Sequence, residues 1–329
     1  MARKLLPFLL ILLFSACNFR PLSCDLYYWR TSVDWSSADT NRLRAAGVER
    51  VGLRVFDWGL RGEEGPLFVR SPLPAEVAVV PVAYITGERL TRWAQDAKLY
   101  PAAAARELFD HMDGALARAW PGTPATWQLD ADWSAATRSA WFAVAGAFGK
   151  LVHARGGRFE VTVRLHQYRD RAAQGVPPAD GGVLMLYGAG DAVLDKALVQ
   201  AYLKGPPYPL PLEPAFPVYT QVRQLNGYGR LVALHRLGAD SELPLADLEP
   251  AGPDHYRVIR RTALAGRVLL AHDELLVDRV DPAVLAAVAA LPEVAALRRG
   301  ADRLWIFDYD PQGWEALVHG PLAAYLFPH

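Results

Sequence analysis

The chain lacks a net charge. Its 35 Lys and Arg balance its 35 Asp and Glu, so nothing in the electrostatics points to nucleic acid, whose binders show a basic excess or stripe. No Gly-x-Gly-x-x-Gly follows a strand, and no loop ends in Gly-Lys-Ser or Gly-Lys-Thr; no cofactor is expected. The Gly-x-Ser-x-Gly elbow of serine hydrolases is missing too. There is no internal repeat and no low-complexity tail. His272-Asp273-Glu274 looks like a metal cluster on paper, but adjacent side chains diverge on a strand, so it reads as a solvated turn and no metal site is expected.

What is present describes a globular protein with a large core: 329 residues, 52% hydrophobic and 21% charged. The ten tryptophans are many. Several sit beside polar residues, as in Asp57-Trp58 and Asp132-Trp133. That suits a sugar cleft, and equally a barrel core, because each ring buries so much area.

The N-terminus reads as a targeting segment. Arg3 and Lys4 precede an apolar run from Leu5 to Phe14, too short to span a membrane, then Ser15-Ala16-Cys17. Phe14-Ser15-Ala16-Cys17 resembles a bacterial lipoprotein signal. The resemblance implies cleavage before Cys17, lipid on its thiol and a membrane anchor. Asn18, in place of an aspartate that would hold the protein at the inner membrane, favours the outer membrane or cell surface; the periplasm is the other address. With Cys17 lipidated, only Cys24 remains, so no disulfide braces the fold.

Residues 18–24 read as a tether and 25–329 as a barrel domain. Strands are expected at Leu26–Arg30, Val51–Asp57, Val77–Ile85, Thr126–Ser134, Phe159–His166, Val183–Tyr187, Leu210–Tyr219 and Arg303–Asp308. Helices are expected over Ser37–Ala46, Pro101–Ala119 and Ala135–Ala154. Pro81 suggests a bulge or an edge. Eight strands interleaved with helices fit an α/β class TIM barrel. An open sheet would be apolar on both faces of its central strands, whereas here Gln128, Asp130 and Asp132, and then Thr162, Arg164 and His166, share a polar phase. About 224–280 reads as a β-rich insertion between strands seven and eight, because the connection is far longer than a helix and two loops need.

The alternation in Thr126–Ser134 puts Trp127, Leu129, Ala131 and Trp133 on one face, and Gln128, Asp130, Asp132 and Ser134 on the other. Ligands gather at the carboxyl ends of barrel strands. The carboxylates expected there are Asp57, Asp130, Asp132, Glu213 and Asp308. Glycoside hydrolysis needs two carboxyl groups flanking the scissile bond. Asp132 as general acid would face Glu213 as nucleophile or base across the mouth, with Asp130 tuning Asp132. Arg164 and His166 would bind substrate or set charge, and Trp133 and Tyr187 would stack on sugars. The same carboxylates, with Arg54, Arg164 and His166, equally make a network holding the barrel top together.

Leu129-Asp130-Ala131-Asp132-Trp133-Ser134 is similar to the strand-four motif of the chitinase-type barrel glycosidases, Asp-x-x-Asp-x-Asp-x-Glu. Asp130 and Asp132 match its last two aspartates. Trp127 stands at its first aspartate and Ser134 at its catalytic Glu, so that mechanism does not carry over. Over nearly the whole chain, Tyr27-Tyr28-Trp29-Arg30, Leu53-Arg54-Val55-Phe56-Asp57, Arg164-Leu165-His166-Gln167, Gly175-Val176-Pro177-Pro178 and Tyr208-Pro209-Leu210-Pro211-Leu212 resemble a family of bacterial secreted lipoproteins. That likeness implies a barrel and an envelope address, and supplies no reaction. The expectation is an envelope lipoprotein with a glycosidase-like barrel that hydrolyses or binds a carbohydrate. The alternative is a non-catalytic glycan-binding or envelope-assembly protein.

Overall fold

A strand that alternates Trp127, Leu129 and Ala131 with Gln128 and Asp130 needs an apolar environment on one face and a polar one on the other, and the fold provides both. The computed structural model describes residues 23–190, 192–237, 243–300 and 303–309. Eight parallel strands close into a TIM-type barrel: β1 (Ser23–Tyr28), β2 (Val48–Gly59), β3 (Ala78–Ile85), β4 (Thr126–Ala131), β5 (Arg158–Arg164), β6 (Gly181–Met185), β7 (Leu212–Pro217) and β8 (Arg303–Phe307). Each pairs with the next, and β1 pairs with both β2 and β8, which closes the ring. Cys17, expected to carry lipid, and the segment before it, expected to be a targeting signal, lie outside the described residues. Several expected boundaries move: β1 begins at Ser23, inside the expected tether, β4 stops at Ala131 and not at Ser134, β5 stops at Arg164, and β6 lies two residues earlier than expected.

Helices cover the outside. They are α1 (Ser37–Ala45), α2 (Gly87–Gln95), α3 (Pro101–Ala119), α4 (Arg138–Ala154), the short α5 (Leu165–Arg169) and α6 (Arg171–Gln174), α7 (Lys196–Leu203), α8 (Pro282–Ala289) and α9 (Pro292–Gly300). Local chemistry sets their starts. Ser36 and Asp39 form a reciprocal capping box on α1, Pro101 opens α3, and the Asp281 side chain accepts from the Ala283 amide at α8. In the layer between strands and helices, Phe109 of α3 stacks on Trp127 of β4 at 4.7 Å. Trp58, Trp127, Trp133, Trp141 and Trp305 are wholly buried. Between the two readings of the tryptophans, these side with the core.

The lumen is filled as well. Tyr27 stacks on Trp305 at 4.6 Å, its hydroxyl donates to Gln128 Oε1 at 2.6 Å, and Val80, Val82, Val183 and Met185 close round them. The bulge expected from Pro81 falls on its neighbour instead: the β2–β3 register slips between Arg54 and Phe56, leaving Val55 as the extra residue.

Between β7 and β8 the chain forms a five-stranded antiparallel sheet, in spatial order Leu231–Leu237, Thr220–Leu225, Glu274–Asp278, His255–Val258 and Leu248–Gly252. It starts at Thr220, a little before the expected 224. One face packs Val222, Leu237, Val258, Leu275 and Val277 against Leu264 and Leu269 of a separate hairpin. The expectation of a solvated turn at Asp273 fails, because that carboxylate is buried and accepts from Gln224 Nε2 at 2.6 Å and the Leu270 amide at 2.9 Å. Among the described residues no group of His, Cys, Asp and Glu could hold a metal ion.

Candidate functional site

The polar phases of β4 and β5 meet at the carboxyl end of the barrel. Arg164, the last residue of β5, donates through Nε to Asp132 at 2.5 Å and through Nη2 to Asp130 at 3.4 Å. Thr162 donates to the same Asp130 oxygen at 2.5 Å. Burial pushes the Asp130 carboxyl above the usual range, and neighbouring Asp132 adds to this against the pull of Arg164 and Thr162. Asp132 is exposed at the mouth, whereas Asp130 lies beneath it in the lumen. The two carboxylates outweigh the burial that opposes a charge on Arg164 and keep it protonated. Tyr84 of β3, not singled out from the sequence, joins this group. Burial first, then Asp132 and Asp130, push its hydroxyl up to about 12.

Above this pair lies a cleft of about 730 Å³ between the barrel mouth and the inserted sheet. The barrel side supplies Asp132, Arg164, His166 and Tyr187, and the insertion supplies Gln221, Arg223, Leu234 and Arg236, with Tyr219 at the junction. His166 reaches the cleft from α5 and not from a strand. Gln167 accepts from the Arg164 amide at 2.7 Å, which turns the chain into that helix. Burial lowers the His166 pKa.

Two assigned roles fail on geometry. Glu213 does not face Asp132. It is the second residue of β7, at the amino end of the barrel, where it accepts from Arg50 Nη2 at 2.7 Å and Trp305 Nε1 at 2.6 Å. Asp25 shares Arg50 there at 2.6 Å, so Glu213 belongs to an ion network at the barrel floor. Trp133 is no stacking surface. Its ring is buried against Phe142 and its Nε1 donates to the Gln174 carbonyl at 3.0 Å. Trp133 follows β4 and continues the alternation of Trp127 and Leu129, the outward phase, which already implied this. Asp57 pairs with Arg54 at 2.8 Å at the top of β2, and Asp308 follows β8 near Tyr219. Neither lines the cleft. Ser134 sits in the loop before α4, its amide donating to Thr137 Oγ1 at 3.0 Å.

The insertion residues were missed because Leu231–Leu237 was not read as a strand. A signal existed. Asn226-Gly227 is a hairpin dipeptide, and the Asn226 side chain accepts from the Tyr228 and Arg230 amides at 3.0 and 3.1 Å.

No family model and no curated protein sequence matches the chain. Solved structures do. The C-terminal domain of a candidate chitinase from Desulfitobacterium hafniense aligns with a TM-score of 0.56 at 12% identity, covering 93% of this chain and 100% of that one. The spore cortex-lytic enzyme SleL of Bacillus megaterium gives 0.56 at 13%, covering 91% and 74%. A class V chitinase from Pseudomonas fluorescens gives 0.51 at 14%, covering 91% and 99%. The eight-stranded barrel of this chain is similar in fold to these glycosidase barrels. At these identities the likeness is one of fold.

Proposed function

We propose that this chain is a carbohydrate-binding barrel of the bacterial cell envelope, anchored by lipid on Cys17, and that its activity is glycan recognition. The observation that carries the reading is the mouth of the barrel. The cleft is large enough for sugar units, yet among the described residues of its lining Asp132 is the one carboxylate, and Arg164 engages it. Among the described lining residues, hydrolysis by two flanking carboxyl groups finds no second carboxylate. Ser134 stands where the similar glycosidase motif has its acid. The similar structures are named for chitin and spore-cortex breakdown, both glycan chemistry, which supports a sugar as the ligand. The envelope address rests on the Leu5–Phe14 run and Ser15-Ala16-Cys17.

One observation favours hydrolysis as the second reading: Asp130, its carboxyl raised by burial, lies next to an accessible Asp132. A glycan array and a hydrolysis screen on the mature chain separate the two. Recognition predicts glycan binding without turnover. Turnover that falls at least about a hundredfold in Asp132→Asn, as loss of a general acid or base would produce, would instead establish an enzyme.

A further inference from the structure

The two walls of the cleft differ in chemistry. On the insertion side, register places Gln221 opposite Arg236 and Arg223 opposite Leu234, so all four side chains leave the same face of the sheet. The other face, with Val222 and Leu237, is apolar and packed. The alternation thus turns two arginines toward the barrel mouth. Among the described residues the lining holds Arg164, Arg223 and Arg236 with one carboxylate, Asp132, which Arg164 engages. Asp278, on the same sheet, is taken up by the Val193 amide.

A second observation is independent of charge. Tyr187 lines the cleft while its ring is 5% exposed, and its buried hydroxyl has no hydrogen-bond partner among the described residues. A buried hydroxyl left unmatched costs free energy, so such groups normally have a partner. Arg236 belongs to the same cluster. Its guanidinium lies 5.4 Å from the Tyr219 ring and 5.3 Å from the Phe307 ring, and Tyr187 packs on those two rings at 6.0 and 5.5 Å. The rings fix the arginine without using up its N–H donors.

We propose that the cleft selects a sugar carrying a negative charge, carboxylate or phosphate, with that group held by Arg236 and the Tyr187 hydroxyl. The inference rests on the carbohydrate reading above and adds the ligand's charge. Guanidinium and phenol are both donors, and their natural complement is an anionic oxygen. A neutral glycan would leave the Arg236 guanidinium, held only by ring contacts among the described residues, without an anionic complement.

The test is calorimetry on the mature chain with matched oligosaccharides that are neutral, uronate-bearing or phosphorylated on one backbone, at low and high salt. At least one anionic form should bind about tenfold tighter than the neutral one, as one charge-assisted hydrogen bond provides, and the preference should shrink with salt. The two anionic arms identify the group. Arg236→Gln should erase the preference, Tyr187→Phe should reduce it, and Arg106→Gln on the outer helix α3 should leave it intact. Circular dichroism confirms folding of each variant. Equal binding of neutral and anionic forms, or a preference untouched by Arg236→Gln, overturns the inference and leaves the carbohydrate reading standing. Binding of no glycan of any charge overturns both.

Discussion

Arg164 holds two carboxylates of different character, one buried and one open to the mouth. A charge of this kind matters most when its partner is removed. Replacing Arg164 with Met leaves Asp130 buried beside Asp132 with no cation, and breaking a buried pair from one side costs roughly 3–5 kcal/mol. Urea denaturation should show a loss of that order, with part of it recovered in Arg164→Met/Asp130→Asn. At the barrel floor a buried carboxyl makes stability depend on pH. Burial pushes the Asp25 carboxyl up to about 6, against the pull of Arg50 and Arg303. In the unfolded chain an aspartate ionises near about 3.9. The folded state therefore binds this proton more tightly, so the contribution is full below about pH 4 and is lost as pH rises through about 6. Two pH units correspond to about 3 kcal/mol. Measured against Asp25→Asn, wild-type stability should fall by up to about that amount between pH 4 and pH 7. A constant difference across this window would refute the assignment.

At the scale of elements, the barrel depends on what fills its strands. Gly52 of β2 is a glycine because a Cβ there would lie 2.7 Å from Tyr27 and 2.9 Å from Trp305, the stacked pair at the centre of the lumen. Gly52→Ala should cost about 1–3 kcal/mol by overpacking and should alter the near-ultraviolet signal of Trp305. Much of this architecture was legible in the sequence. Strand β4 declared itself because its two faces meet different environments, and the shared polar phase of β4 and β5 put Asp130, Asp132 and Arg164 together. The level of a residue along a strand was less legible. Glu213 was expected at the mouth because strand seven was drawn from Leu210 to Tyr219, when the paired segment is Leu212–Pro217 and Glu213 stands at its start. Period two tells which face a side chain leaves, and says nothing about how high in the barrel it sits. The insertion wall was least legible. The cleft residues Arg223 and Arg236 come from strands whose pairing depends on a hairpin register, and hydropathy alone does not set it.

For the whole molecule, the position of β1 fixes an orientation if Cys17 carries lipid. Ser23, the first residue of β1, lies at the amino end of the barrel, with the Asp25–Arg50–Glu213 network and away from the cleft. Six residues from Cys17 to Ser23 span at most about 20 Å. So short a reach would bring the barrel floor to the membrane surface and turn the mouth and the inserted sheet outward, where a glycan of the envelope could enter. Two single-cysteine variants test this, since the native Cys24 is buried and closed to labelling. One is Glu76→Cys, in the turn before β3 on the floor side, and the other Tyr228→Cys, at the tip of the insertion hairpin, where the tyrosine is 91% exposed. In lipid vesicles, a fluorophore at position 76 should be quenched by a headgroup quencher and one at 228 should not. In Cys17→Ser, both should behave alike and the protein should leave the vesicles. Strong quenching at 228 with none at 76 would mean that the mouth faces the lipid, and a cleft that opens toward the membrane would no longer suit a glycan ligand.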